Sequence, residues 1–125
     1  MPPLQAVSSP TTNSRVVQRA DYENITVREL KSRLEAGDRP ILLDVREPWE
    51  FELAHIEGST LVPMSQLEER FTELDPAAET VVICHHGNRS SHVTLALQRA
   101  GFENVLNLEG GLDAYSFVDE SVPTY

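Results

Sequence analysis

Cysteine is nearly absent from this 125-residue chain: Cys84 stands alone, which excludes an internal disulfide. A lone thiol fits a reducing compartment, and we expect a cytoplasmic protein. Long apolar runs are missing too. The longest, Val81 to Cys84, is four residues, whereas a membrane-spanning helix needs about 20. Positive charge is scarce, with 10 Lys and Arg against 20 Asp and Glu, a net charge of −10 and a pI near 4.7. Such a chain repels phosphate backbones and anionic lipid surfaces, so neither nucleic acid nor a membrane is an expected partner. The most informative absence is local. From Thr80 to Phe102 there is no Asp or Glu, yet Arg89, Arg99 and three of the four histidines, His85, His86 and His92, lie there with the cysteine. An acid-free island around a thiol, in an acidic chain, points to an anion site.

The same window predicts strand, turn and helix. Val81-Val82-Ile83 is short, apolar and β-branched, and Gly87 breaks the polar turn after Cys84. Val93, Ala96, Leu97 and Ala100 then fall at i, i+3, i+4 and i+7, and Gly101 stands where a left-handed cap would end the helix. Cys84 should therefore face a helix N-terminus, where unpaired N–H groups and the helix dipole favour a negative charge. Such positions lower a cysteine's pKa from ~8.5 to roughly 3.5–7.5, so Cys84 is the candidate nucleophile. Gly87 is expected at positive φ, turning loop N–H groups inward. Arg89, a cation at a helix N-terminus, needs a partner anion, and substrate is the expected one. His85 and His86 are candidate contacts, although neighbours in a tight turn seldom point the same way. No metal is expected, because contiguous ligands such as Cys84, His85 and His86 cannot readily wrap one tetrahedron.

The rest of the chain organises around that turn. Residues 1–20 read as a flexible tail rich in Pro, Ser and Thr, and residues 21–125 as one domain. Thr26 to Glu29 is a capping box that opens a helix with Val27, Leu30 and Leu34 on its apolar face and Gly37 at its end. Ile41 to Val45 is a strand buried on both faces, which implies parallel pairing, and Pro48 to Leu53 a short helix. Thr60 to Val62 is a brief strand, Ser65 to Glu68 a second capping box, and Leu67, Phe71 and Leu74 mark the helix it should start. Val105 to Leu108 is the last strand. Alternating strands and helices give an α/β layer structure whose ligand site lies beyond the strands' carboxyl ends, where Arg46 and Cys84 fall. Asp44 and Arg46 read as a buried ion pair or loop anchor, and Trp49, Phe51 and Tyr115 as packing.

Cys84-His85-His86-Gly87-Asn88-Arg89-Ser90 resembles the active-site loop of the rhodaneses, the thiosulfate sulfurtransferases. Leu43 to Glu47 with Trp49-Glu50-Phe51, and His55 to Ser59 leading to Val62-Pro63, resemble that family's first signature; Leu108 to Tyr115 resembles its last. The resemblance runs from about Tyr22 to Tyr125, departing from the family's usual tryptophan at Tyr115-Ser116-Phe117. It implies three layers, a small central, mostly parallel sheet with helices on both faces. It also implies that the Cys84 thiolate takes sulfur from a small anionic donor such as thiosulfate, holds it as a persulfide and passes it to a thiophilic acceptor. His85, His86, Gly87, Asn88, Arg89 and Ser90 would bind the donor, with neither organic cofactor nor metal. Val118 to Tyr125 resembles the ending of rhodanese-like domains attached to enzymes that sulfurate carrier proteins, which adds a sulfur-acceptor protein as a partner. Cysteine phosphatases and arsenate reductases are the alternative enzyme class, but the phosphatase pattern has five residues between Cys and Arg, against four here. A non-catalytic regulatory module is the other alternative; silent versions usually lack the cysteine.

Overall fold

The computed structural model describes residues 22–125, so the expected tail over 1–20 lies outside the described residues. Strand β1 (Glu23–Ile25) leads into α1 (Val27–Glu35), whose start is fixed by reciprocal capping bonds. The Thr26 hydroxyl accepts the Glu29 N–H at 3.1 Å and Glu29 accepts the Thr26 N–H at 2.9 Å. Then come β2 (Ile41–Asp44), α2 (Pro48–Leu53), β3 (Thr60–Leu61) and α3 (Leu67–Arg70). Last are β4 (Thr80–Ile83), α4 (Asn88–Arg99), β5 (Val105–Leu108) and α5 (Gly111–Tyr115).

The strands form one parallel sheet in the order β1-β5-β4-β2-β3. Central β4 pairs with β2 from Ile41↔Thr80 to Asp44↔Ile83 and with β5 from Thr80↔Val105 to Val82↔Asn107. Its alternation explains the unbroken apolar run. Val81 and Ile83 enter one core with Leu30, Leu42, Leu108, Leu112 and Tyr115, while Val82 and Cys84 enter the other with Leu43, Val93 and Leu97. Helices α1 and α5 pack together over the first core, and α4 covers the second. The three-layer α/β arrangement is the expected one.

Three local expectations change. Ser65 does not cap a helix: Met64–Gln66 is a 3₁₀ turn, α3 makes one turn, and Phe71–Glu73 is 3₁₀ again. Gln66, at the start of α3, is already helical, so no extended residue offers a side chain to the first N–H groups. On α4 the buried face is Ser90, Val93, Thr94 and Leu97, with Ala96 and Ala100 exposed; Thr94 tolerates burial because its hydroxyl donates to the Ser90 carbonyl at 2.7 Å. Trp49 is not packed away but 60% exposed, whereas Tyr115 is 1% exposed and Phe51 stacks on His55.

Candidate active site

Cys84 follows the end of β4, 1% exposed, with its carbonyl turned one way and its sulfur the other. The sulfur accepts the backbone N–H of Gly87 at 3.0 Å and of Ser90 at 3.3 Å. Those donors are available because α4 begins at Asn88, leaving the first N–H groups without helical partners. Gly87 adopts φ 100°, the left-handed turn that folds the loop back over the sulfur. The carbonyls are secured from the other side by α5: Leu112 donates to the Cys84 carbonyl at 2.8 Å and Asp113 to that of His85 at 2.9 Å. Gly111 permits this approach, since a Cβ there would lie 2.6 Å from the Cys84 carbonyl oxygen. The N-terminus of one helix faces the thiol while another grips the carbonyls behind it.

Ser90 adds a buried polar chain. The thiol donates to the Ser90 hydroxyl at 3.3 Å, that hydroxyl donates to Asn107 Oδ1, and Asn107 Nδ2 donates to Asn24 Oδ1 at 2.9 Å. The hydroxyl hydrogen is thus committed to Asn107 while Cys84 is a thiol.

The two arginines are both paired with carboxylates. Arg46 and Asp44, each 0% exposed, meet through Nε to Oδ1 at 2.8 Å and NH2 to Oδ2 at 2.7 Å. Arg46 also donates to the Ala54 carbonyl at 2.6 Å and to the Tyr125 hydroxyl at 2.8 Å, joining β2, the end of α2 and the C-terminal segment. Burial alone would lower its pKa, but the bonds to Asp44 and Tyr125 leave it raised. Asp44 and Arg46 thus form a buried ion pair. The anion that meets Arg89 here is Glu50: the guanidinium forks onto both carboxylate oxygens at 2.9 Å each. Glu50, 4% exposed, also accepts the Glu47 N–H at 3.0 Å and the Tyr125 hydroxyl at 2.9 Å. Arg89 holds its pKa down to about 2 against the opposing effect of burial.

His85 lies between two rings, 4.3 Å from Tyr125 at 17° and 4.1 Å from His86 at 13°. Trp49 meets Tyr125 edge-on at 6.4 Å. Burial, then the neighbouring His86, lower the pKa of His85, favouring its neutral form. His86 is exposed, with Nε2 3.8 Å from Asp113 Oδ2, and the Asn88 side chain is exposed as well. Ligand atoms of His85, His86 and Asp113 lie within 4.8 Å of one another, but rings only 13° apart direct their lone pairs side by side rather than toward one ion.

The structure therefore brings Cys84, Gly87 and Ser90 into direct contact, sets His85 beside them and leaves His86 and Asn88 outside the cradle. Four contributors were not singled out from sequence. Glu50 and Tyr125 lie in segments that carry the resemblance but act over long sequence separations, so sequence alone attaches no role to them; Gly111 and Asn107 stand out locally, as one of a glycine pair and as a lone amide inside an apolar strand.

The class of protein is an all-parallel α/β sheet with a cysteine after its central strand, whose sulfur accepts backbone N–H groups at a helix N-terminus. The sequence matches the rhodanese-like domain family over residues 26–117, and the chain belongs to that family. It is 39% identical over 116 residues to the Arabidopsis thaliana chloroplastic rhodanese-like/PpiC domain-containing protein 12, covering 86% of this chain and 39% of that protein. It is 36% identical over 101 residues to the Mycobacterium tuberculosis probable adenylyltransferase/sulfurtransferase MoeZ, covering 79% and 26%. With the putative sulfur carrier protein YrkF of Bacillus subtilis it shares 34% over 88 residues, covering 70% and 48%. The chain thus spans between a quarter and a half of these relatives' lengths. Among solved structures, a rhodanese-like domain protein from Staphylococcus aureus superposes at TM-score 0.74 with 27% identity, over 82% of this chain and 98% of that one. A rhodanese-related protein from Thermoplasma volcanium gives 0.70 with 33% identity, over 82% and 96%. Among the described residues no helix is long and apolar enough to cross a membrane.

Proposed function

We propose that this domain is a sulfurtransferase that carries a sulfane sulfur on Cys84. The observation that carries the reading is the pair of N–H groups from Gly87 and Ser90 converging on the Cys84 sulfur. The Cys84 thiolate attacks the outer sulfur of the donor, the donor's S–S bond breaks, and sulfite or a thiolate leaves with the bonding electrons. The persulfide anion then occupies the ring of loop amides, and an acceptor thiolate, cyanide or sulfur-carrier protein removes the terminal sulfur and regenerates Cys84. The loop from His85 to Ser90 binds the donor through its backbone, Arg89 contributes its guanidinium at the mouth, and Asp44 with Arg46 ties β2 and the end of α2 to the C-terminal segment beside it. The cytoplasm is its proposed location.

The relatives named as a sulfurtransferase and a sulfur carrier support this reading, as does the four-residue spacing from Cys84 to Arg89, one short of the phosphatase ring. Intact mass after incubation with thiosulfate or a persulfide tests it: the wild type should gain one sulfur atom, removable by cyanide, and Cys84→Ser should gain none while remaining folded. A native Cys84→Ser variant that still turns over donor at the wild-type rate would sink the proposal.

A further inference from the structure

Among the described residues, the arginines around Cys84 are not free. Arg89 is neutralised by the bidentate fork onto Glu50 and Arg46 by the fork onto Asp44, while the exposed His86 faces Asp113 at 3.8 Å. His85 sits stacked between two rings. Among the described residues at the site, the arginines Arg46 and Arg89 stand against the carboxylates Asp44, Glu50 and Asp113, in a chain whose net charge is −10. A dianion finds no net positive charge there. What the surroundings of the loop offer instead is aromatic surface: Trp49, 60% exposed, lies edge-on to Tyr125, which stacks on the residue following the nucleophile.

We infer that Glu50 is a specificity-determining residue, which by neutralising Arg89 makes an organic persulfide, R–S–SH, a better sulfur donor for Cys84 than the thiosulfate dianion. The inference rests on the sulfurtransferase reading and narrows its donor. The step balances: Cys84–S⁻ attacks the terminal sulfur of R–S–SH, the S–S bond breaks, R–S⁻ departs, and Cys84–S–SH keeps the donor's proton. The terminal sulfur is passed on in its original oxidation state, so no outside oxidant or reductant enters. An organic persulfide carries at most one charge at its reacting end, and its R group can lie against Trp49 and Tyr125. Thiosulfate has no apolar part and brings two charges to a mouth whose arginines are already paired.

Glu50→Gln tests this with little change of shape, because the amide oxygen can still accept from the Glu47 N–H and the amide NH2 can donate to the Tyr125 oxygen, while the Arg89 charge is uncovered. Rates of sulfur loading are read by intact mass with thiosulfate and with benzyl persulfide. In the wild type, benzyl persulfide should load at least about tenfold faster. In Glu50→Gln the thiosulfate-to-persulfide ratio of kcat/KM should rise about tenfold, the scale of one unit charge acting on a dianion a few Å away in partly screened surroundings. The wild type supplies a check that needs no variant: its thiosulfate loading should stay level or rise with added salt, whereas that of Glu50→Gln should fall. Trp49→Ala should slow benzyl persulfide more than thiosulfate, and an equal loss with both donors counts against the aromatic contact. Faster wild-type loading from thiosulfate, or an unchanged donor ratio in a natively melting Glu50→Gln, overturns the inference. Loading by neither donor overturns instead the sulfurtransferase reading beneath it.

Discussion

Replacing Gly111 by alanine puts a methyl group against the Cys84 and His85 carbonyls, on the side of the loop away from the sulfur. A Cβ there would lie 2.6 Å from the Cys84 oxygen, and it meets backbone rather than a side chain that can swing away. The residue also sits at φ +66°, where alanine costs roughly 1–2 kcal/mol. Relief requires α5 to move off the loop, which lengthens the bonds from Leu112 to Cys84 and from Asp113 to His85, now 2.8 and 2.9 Å, each worth about 1 kcal/mol. The sum is about 3–4 kcal/mol, a large share of the 5–15 kcal/mol typical of a domain. The catalytic effect should be steeper still, since a shift approaching 1 Å at a reacting group can cost about 100-fold. Urea denaturation at unchanged slope and the rate of sulfur loading measure the two effects separately. Gly58→Ala is the control: Gly58 has φ +90° with nothing within 4 Å of its would-be Cβ, so it should show the backbone penalty and normal loading. A Gly111→Ala protein that matches Gly58→Ala in both measurements refutes the idea that α5 moulds the loop.

Acid should weaken the protein through Glu50. Its folded pKa is depressed to about 2, so its stabilising effect is fully present above the ordinary carboxylate range near 4.5 and is lost as pH falls from there toward 2. Glu50→Gln should flatten the stability curve across that window in urea titrations at stepped pH, and an unaltered slope contradicts the assignment. Asn107→Leu should release the Ser90 hydroxyl to donate to the Cys84 sulfur, speeding alkylation at mildly acid pH several-fold with little change in alkylation of denatured protein. Alkylation at the wild-type rate would show that Asn107 does not compete for that hydroxyl.

Legibility from sequence followed the range of the interactions. The Thr26 capping box, the Pro48 helix start and the strand at Val105 to Leu108 depend on neighbours within a few residues, and each lies where local pattern places it. The cysteine cradle was legible for the same reason, since Cys84, Gly87 and Ser90 span one turn. The short pieces were not. β1 is three residues with two exposed, and α5 is five residues opened by the glycine pair Gly110-Gly111, so neither shows a hydrophobic period. Ser65 shows how a local motif fails when the preceding backbone is already helical. The pairing of Arg89 with Glu50 spans 39 residues and that of Tyr125 with Glu50 spans 75, distances at which sequence states only that an anion is needed and not which one.

The parallel pairing of β1 with β5 has a consequence for the order of assembly during synthesis. Glu23 reaches its partner Leu106, and Ile25 its partner Leu108, only after the intervening chain has left the ribosome. Until then β1 is an orphan edge, and β5 is also the strand that places Asn107 against Ser90. A nascent chain can form the β2–β4 pair early, but its thiol stays outside a finished cradle until the last strand arrives. Long-range closure of this kind is slow compared with helix formation. Cys84 is therefore made before the strand that completes its surroundings, and until that strand arrives the Ser90 hydroxyl has no Asn107 to donate to.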